Sequence, residues 1–135
     1  MAIVIGYFSA LAAFLAADMV WLGAMASRVY RPVLGDMAAP TVNLPAAAVF
    51  YLLFPIGIAI FAVAPALRGA SLASAAINGA LFGFFTYATY DLTNQATLRN
   101  WTTQLTLIDV AWGATLGALA ASAGFLAASR FAAAG

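Results

Sequence analysis

The sequence predicts an all-α protein: a bundle of four transmembrane helices forming one domain over residues 1–135. Three observations carry this reading. Of 135 residues, 66% are hydrophobic and only 7% are charged, whereas a soluble domain carries about 25% charged residues. Mean hydropathy is +1.02, so lipid rather than water must cover most of the surface. The apolar residues also fall into four stretches, about 2–27, 45–67, 72–93 and 105–129. Each meets the roughly 20 residues needed to cross a hydrocarbon core of about 30 Å. Backbone polar groups in lipid must bond within their own segment, so each stretch is read as a helix.

The first stretch contains Ala24-Met25-Ala26, which looks like a signal-peptide cleavage site. No Lys or Arg precedes the apolar run, the run is too long, and Asp18 interrupts it. A retained helix is therefore predicted. The connection from Arg28 to Leu44 reads as a long polar loop, with Tyr30, Arg31, Pro32, Gly35, Asp36 and Pro40. Asn43 suits the cap of the second helix, and Pro45 its first turn. Pro55 lies mid-span and predicts a kink. Between the second and third helices, Ala66 to Ser71 is a tight turn, with Gly69 suited to a C-cap and Ser71 to an N-cap. Asn94 to Gln104 reads as a second polar loop, on the same side as the first, and contains Arg99 and Trp101. Trp101 and Tyr30 are read as members of an interfacial aromatic belt.

Gly79 and Gly83 form a GxxxG pattern on the third helix, and Gly113 and Gly117 form another on the fourth, continued by Ala121. Small residues at this spacing let helix backbones approach closely. They predict a hairpin of helices three and four, with a homodimer seam as the alternative use.

What the chain lacks limits its chemistry. The formal net charge is +1, from five Arg and four Asp, with no Lys and no Glu. No basic patch exists to neutralise phosphates, which excludes nucleic acid as a partner. Without Cys there is no disulfide or thiolate nucleophile. Without His there is no common zinc or haem site, and without Lys no Schiff base. Catalysis must rest on Asp, Tyr, Ser, Thr, Arg, or a metal bound by oxygen. Heavy Ala use with Arg in place of Lys points to a GC-rich bacterial genome, and hence a bacterial inner (cytoplasmic) membrane. Arg28, Arg31 and Arg99 on one side balance Arg68, Arg130 and the amino terminus on the other, so the positive-inside rule assigns no orientation.

Threading the four helices up and down brings three acids to one leaflet. Asp18 lies in the upper half of the first helix, Asp91 near the top of the third, and Asp109 about one turn into the fourth. With the first helix ending near residue 27, Asp18 is roughly 14 Å deep at about 1.5 Å per residue. A charge there costs at least about 2.5–3.5 kcal/mol on insertion scales, so an intramembrane acid is a functional candidate that faces the bundle interior. The i,i+4 rule places Asp109 on the face of Gly113 and Gly117, and Asp91 on that of Gly79, Gly83 and Tyr87. Asp18, Asp91 and Asp109 are the candidate catalytic residues. Trp21, Tyr87, Tyr90, Asn94, Arg99 and Trp112 are the candidate ligand-binding residues. No metal-ligand motif is present; Mg²⁺ is the one cofactor the acids could hold. The structural alternative pairs Asp18 with Arg28 or Arg31, and Asp91 with Arg99. Asp18-x-x-Trp21 and Asp109-x-x-Trp112 share a spacing too short to establish a repeat.

Several segments together resemble the DUF2177 family of small bacterial membrane proteins. They are Asp18-Met19-Val20-Trp21-Leu22, Phe50-Tyr51, Pro65-Ala66-Leu67, the block Tyr87-Ala88-Thr89-Tyr90-Asp91-Leu92-Thr93-Asn94 with Ala96-Thr97, Trp101, and Asp109-Val110-Ala111-Trp112-Gly113. The resemblance implies four helices and an Asp/Trp/Tyr set. It brings no activity with it, beyond a pointer to lipid chemistry through cyclopropane-type fatty-acid modification. Asp91 and Asp109, eighteen residues apart and flanking a loop, are also similar in arrangement to the aspartate pair of lipoprotein signal peptidases, whose other motifs are missing.

Three functions fit these features. One is a protein that binds or modifies a lipid or other amphiphile at an acidic, aromatic pocket near one leaflet. Another is an accessory subunit packed against a larger membrane complex. The third is a proton- or cation-coupled transporter.

Overall fold

A computed structural model of the chain describes residues 1–134. Four helical rods long and apolar enough to cross a membrane run α1 Ala2–Met37, α2 Leu44–Gly69, α3 Leu72–Thr97 and α4 Thr103–Ala134. The four expected spans are all present, and each extends past its expected limits.

The largest extension corrects the reading of Arg28 to Leu44 as a loop. α1 is α-helical to Met25, continues through a π-helical turn at Ala26–Tyr30, and resumes at Arg31–Leu34. Pro32 sits at the start of this resumed segment. A residue without an N–H is tolerated in a first turn, so Pro32 does not break the rod. Termination waits for Gly35, whose φ of +51° lies in the left-handed region. At about 1.5 Å per residue, the 36 residues of α1 span roughly 54 Å. The rod therefore outruns a core of about 30 Å, and Arg28 and Arg31 stay exposed on its last turns. The second expected loop shrinks likewise: Asn94 ends inside α3, and only residues 98–102 join α3 to α4.

Both helix caps are as expected. The Asn43 side chain accepts from the Ala46 N–H at 3.2 Å, and the Ser71 hydroxyl accepts from the Ser74 N–H at 3.1 Å. The tight turn differs by one residue. Gly69 closes α2, and the left-handed position falls on Ala70, with φ 49°. A β-carbon in that conformation costs roughly 1 kcal/mol. Ala70→Gly is expected to raise the midpoint of unfolding in a denaturing-detergent titration, by about 1 kcal/mol.

α3 and α4 make the tightest helix pair, and the glycines explain why. A methyl group on Gly83 would overlap the Gly113 carbonyl oxygen, and one on Gly117 would overlap that of Gly79. The expected hairpin is present, and all four glycines are spent within the chain. α1 packs on another face of α4, where a β-carbon on Gly124 would stand 2.7 Å from the Gly6 carbonyl oxygen. Phe14, Ile58, Val63 and Leu116 fill the centre of the bundle and are fully buried.

α2 is asymmetric. From Phe54 onward it packs into the core, through Ile58, Ala62, Val63 and Ala66. Its first half is exposed, with Leu44 at 71% and Leu53 at 58%. Pro55 and the π-helical turn Ala59–Val63 lie where the packing changes. Pro55 removes one backbone bond, and a π turn is a recognised site of helix deviation. The result is a gap between the first half of α2 and the second half of α3.

Candidate functional site

The gap opens into a cavity of about 390 Å³ to which all four helices contribute. Asp18 from α1 and Asp109 from α4 line it, 5% and 6% exposed. Around them stand Tyr30 of α1, Phe50, Tyr51 and Phe54 of α2, Thr86, Tyr87 and Tyr90 of α3, and Trp112 of α4. Leu22 completes the wall.

Each acid is held by a helix other than its own. Asp18 accepts from the Tyr51 hydroxyl at 2.6 Å and from Trp112 Nε1 at 3.1 Å. Asp109 accepts from the Tyr30 hydroxyl, which in turn accepts from Trp21 Nε1 at 2.8 Å. The Trp21 and Trp112 rings stack with centroids 4.4 Å apart and planes 3° from parallel. The two Asp-x-x-Trp segments thus face each other across the α1–α4 contact. Trp112 donates directly to Asp18, and Trp21 reaches Asp109 through Tyr30. Stacked aromatic pairs and hydrogen bonds to carboxylates each contribute about 1 kcal/mol or more, and here they interlock.

Asp91 is different. Its side chain is fully buried, and neither carboxyl oxygen has a hydrogen-bond donor. The Asp109 carboxyl lies within its reach, and two carboxyls can bond only by sharing a proton. Asp91 backs the cavity behind Asp109 rather than lining it. No group of three acidic side chains is placed to hold a metal ion among the described residues.

The three acids expected at one end are therefore brought together, and on the tightly packed faces: Gly83 and Asp91 are buried on α3, and Asp109 and Gly113 on α4. Of the expected ligand-binding residues, Tyr87, Tyr90 and Trp112 line the cavity. Trp21 supports the wall from behind, through Trp112 and Tyr30. Asn94 and Arg99 are not in the wall, and Arg99 is exposed in the α3–α4 turn. The alternative of Asp–Arg pairing is not what the structure shows: Asp18 and Asp109 accept from neutral donors, Tyr51, Trp112 and Tyr30.

The belt reading is corrected at both residues. Tyr30 is turned inward because α1 continues through it. Trp101 is buried, donating from Nε1 to the Thr106 hydroxyl at 3.0 Å. Thr106 donates on to Gln95 Oε1 at 2.8 Å, closing the α3–α4 turn. Tyr51, Phe50 and Phe54 were not picked out as site residues. Their spacing matches a helix face, but nothing in an apolar stretch says which face is turned inward.

A second hollow of about 650 Å³ runs along α2 and α3, lined by Phe61, Leu81, Phe82 and Phe85 with Asn78 and Thr89. Thr86 belongs to both hollows.

Four long apolar rods define a small all-helical membrane protein with two acids set into a mainly aromatic cavity. The chain belongs to the DUF2177 family, described as predicted membrane proteins, whose profile matches residues 3–126. No curated protein and no solved structure matches the chain.

Proposed function

We propose that this is a multi-pass protein of the bacterial inner membrane that binds, and through its acids can modify, a membrane amphiphile. The head group would enter the Asp18–Asp109 cavity, and the chain would lie in the groove between α2 and α3. An acid- and hydroxyl-bearing cavity and a mainly apolar groove that share Thr86 as a wall residue carry this reading. Both hollows lie in the size range of ligand sites, about 300–1,000 Å³. Phe50, Tyr51 and Phe54 of the wall stand where the first half of α2 leaves the bundle, and there a lipid would enter from the side. Inside, Tyr51–Asp18 and Tyr30–Asp109 are hydrogen-bonded acid–hydroxyl pairs able to give or take a proton.

Protein extracted in mild detergent and examined by native mass spectrometry is expected to retain an amphiphile. Thr86→Trp, which plugs the junction, is expected to abolish retention with helix content unchanged. Wild-type protein free of any retained lipid, or a Thr86→Trp variant that keeps it, overturns the proposal.

A further inference from the structure

Resting on that reading, we infer that the head group is an organic ammonium, primary to quaternary, rather than a phosphate or carboxylate. Asp18 and Asp109 line the cavity and Asp91 backs it, while no Arg, Lys or His stands in the wall. A buried carboxylate without a compensating cation is costly. A cationic head supplies that compensation, and an anionic head deepens the deficit.

The Tyr30 and Tyr51 hydroxyls and Trp112 Nε1 are already given to the acids. The Thr86 hydroxyl is given to the backbone carbonyls of Phe82 and Gly83. This leaves the hydroxyls of Tyr87 and Tyr90. Phosphate oxygens would enter a wall with few hydrogens to accept. An ammonium needs acceptors and π surface instead.

With their polar atoms turned to the acids, Tyr30, Tyr51 and Trp112 offer the ligand mainly ring carbon, beside Phe50, Tyr87 and Tyr90. With Phe54, seven aromatic rings around a cavity of about 390 Å³ make the kind of box that holds ammonium groups by cation–π attraction. The volume suits a small head and its first methylenes.

The test compares probes that share one chain, with binding read from quenching of Trp fluorescence in a neutral maltoside detergent. Dodecyltrimethylammonium is expected to bind at least about tenfold more tightly than dodecanol, and dodecyl phosphate more weakly than either. Tetramethylammonium, which lacks the chain, is expected to bind far more weakly than the dodecyl compound. Asp109→Asn should lower affinity for the cation by a much larger factor than affinity for dodecanol. Tyr87→Leu, which keeps every acid, should also weaken the cation selectively. Equal binding of dodecanol and the cation by the wild type, or a preference for the phosphate, overturns the ammonium inference and leaves the amphiphile reading standing. Tetramethylammonium binding as tightly as the dodecyl probe overturns the chain-in-groove reading and leaves the cation box. Wild-type protein that binds none of the four overturns both.

Discussion

A Gly83→Ile variant is expected to lose most of its resistance to unfolding. Two backbones meet at this point: a β-carbon on Gly83 would overlap the Gly113 carbonyl oxygen, and the Ala114 α-carbon stands 3.3 Å away. Side chains can change rotamer to admit extra volume, but carbonyl groups of a packed helix cannot. Overpacking commonly costs about 1–3 kcal/mol, and a clash with backbone belongs at or above the top of that range. Total stabilities run to about 5–15 kcal/mol, so the loss is a large fraction of the whole. Gly117, packed on Gly79 one turn further along, should behave alike. Gly23→Ile is the internal control, because a β-carbon there meets nothing within 4 Å. Its midpoint in a denaturing-detergent titration should move by no more than about 0.5 kcal/mol. A Gly83→Ile midpoint equal to wild type would mean that the α3–α4 seam does not hold the bundle together.

The contrast between Gly83 and Gly23 also shows how far the sequence could be read. Gly79 and Gly83 matter because a second pair, Gly113 and Gly117, repeats their spacing on the next span. Lone Gly23 has no such counterpart. The number and place of the helices were legible because lipid leaves one backbone solution, and 20 apolar residues are hard to mistake. The ends were less legible. Arg28, Pro32 and Asp36 read as loop by composition, yet the π-helical turn at Ala26–Tyr30 carries the rod through them. That extension delivers Tyr30 to Asp109, so misplacing the end of α1 also hid a site residue. The acids were legible because charge inside a membrane is costly wherever it stands. Their partners were not, because Tyr51 and Tyr30 reach the acids across interhelical contacts that the helix periodicity of either segment leaves undetermined. The Asp-x-x-Trp echo was visible, but its meaning, two antiparallel segments with stacked rings, needed the α1–α4 contact.

Replacing aspartate by asparagine is expected to act with opposite sign at two buried positions. Asp91 accepts from no donor and lies within reach of the Asp109 carboxyl. Asparagine has nearly the same shape and brings an N–H₂ group that can donate to Asp109. The proton that the two carboxyls must share is replaced by an N–H donor fixed on the residue-91 side. A hydrogen bond to a charged group contributes about 1.5–3 kcal/mol, so Asp91→Asn should raise the unfolding midpoint by up to that much at alkaline pH, where the wild-type pair loses its shared proton, and by less at acidic pH. At Asp18 both carboxyl oxygens already accept, one from Tyr51 and one from Trp112. Asparagine can still accept from Trp112 and donate to the Tyr51 oxygen, but it leaves the Tyr51 hydrogen without its carboxylate acceptor, at a cost of about 1–3 kcal/mol. Asp18→Asn should therefore lower the midpoint. A residue whose removal stabilises the fold is not there for the fold, so a stabilised Asp91→Asn protein with impaired amphiphile binding or turnover would assign Asp91 to the site. A destabilised Asp91→Asn protein would instead make its carboxylate a structural partner, and the acid–base reading would rest on Asp18 and Asp109 alone.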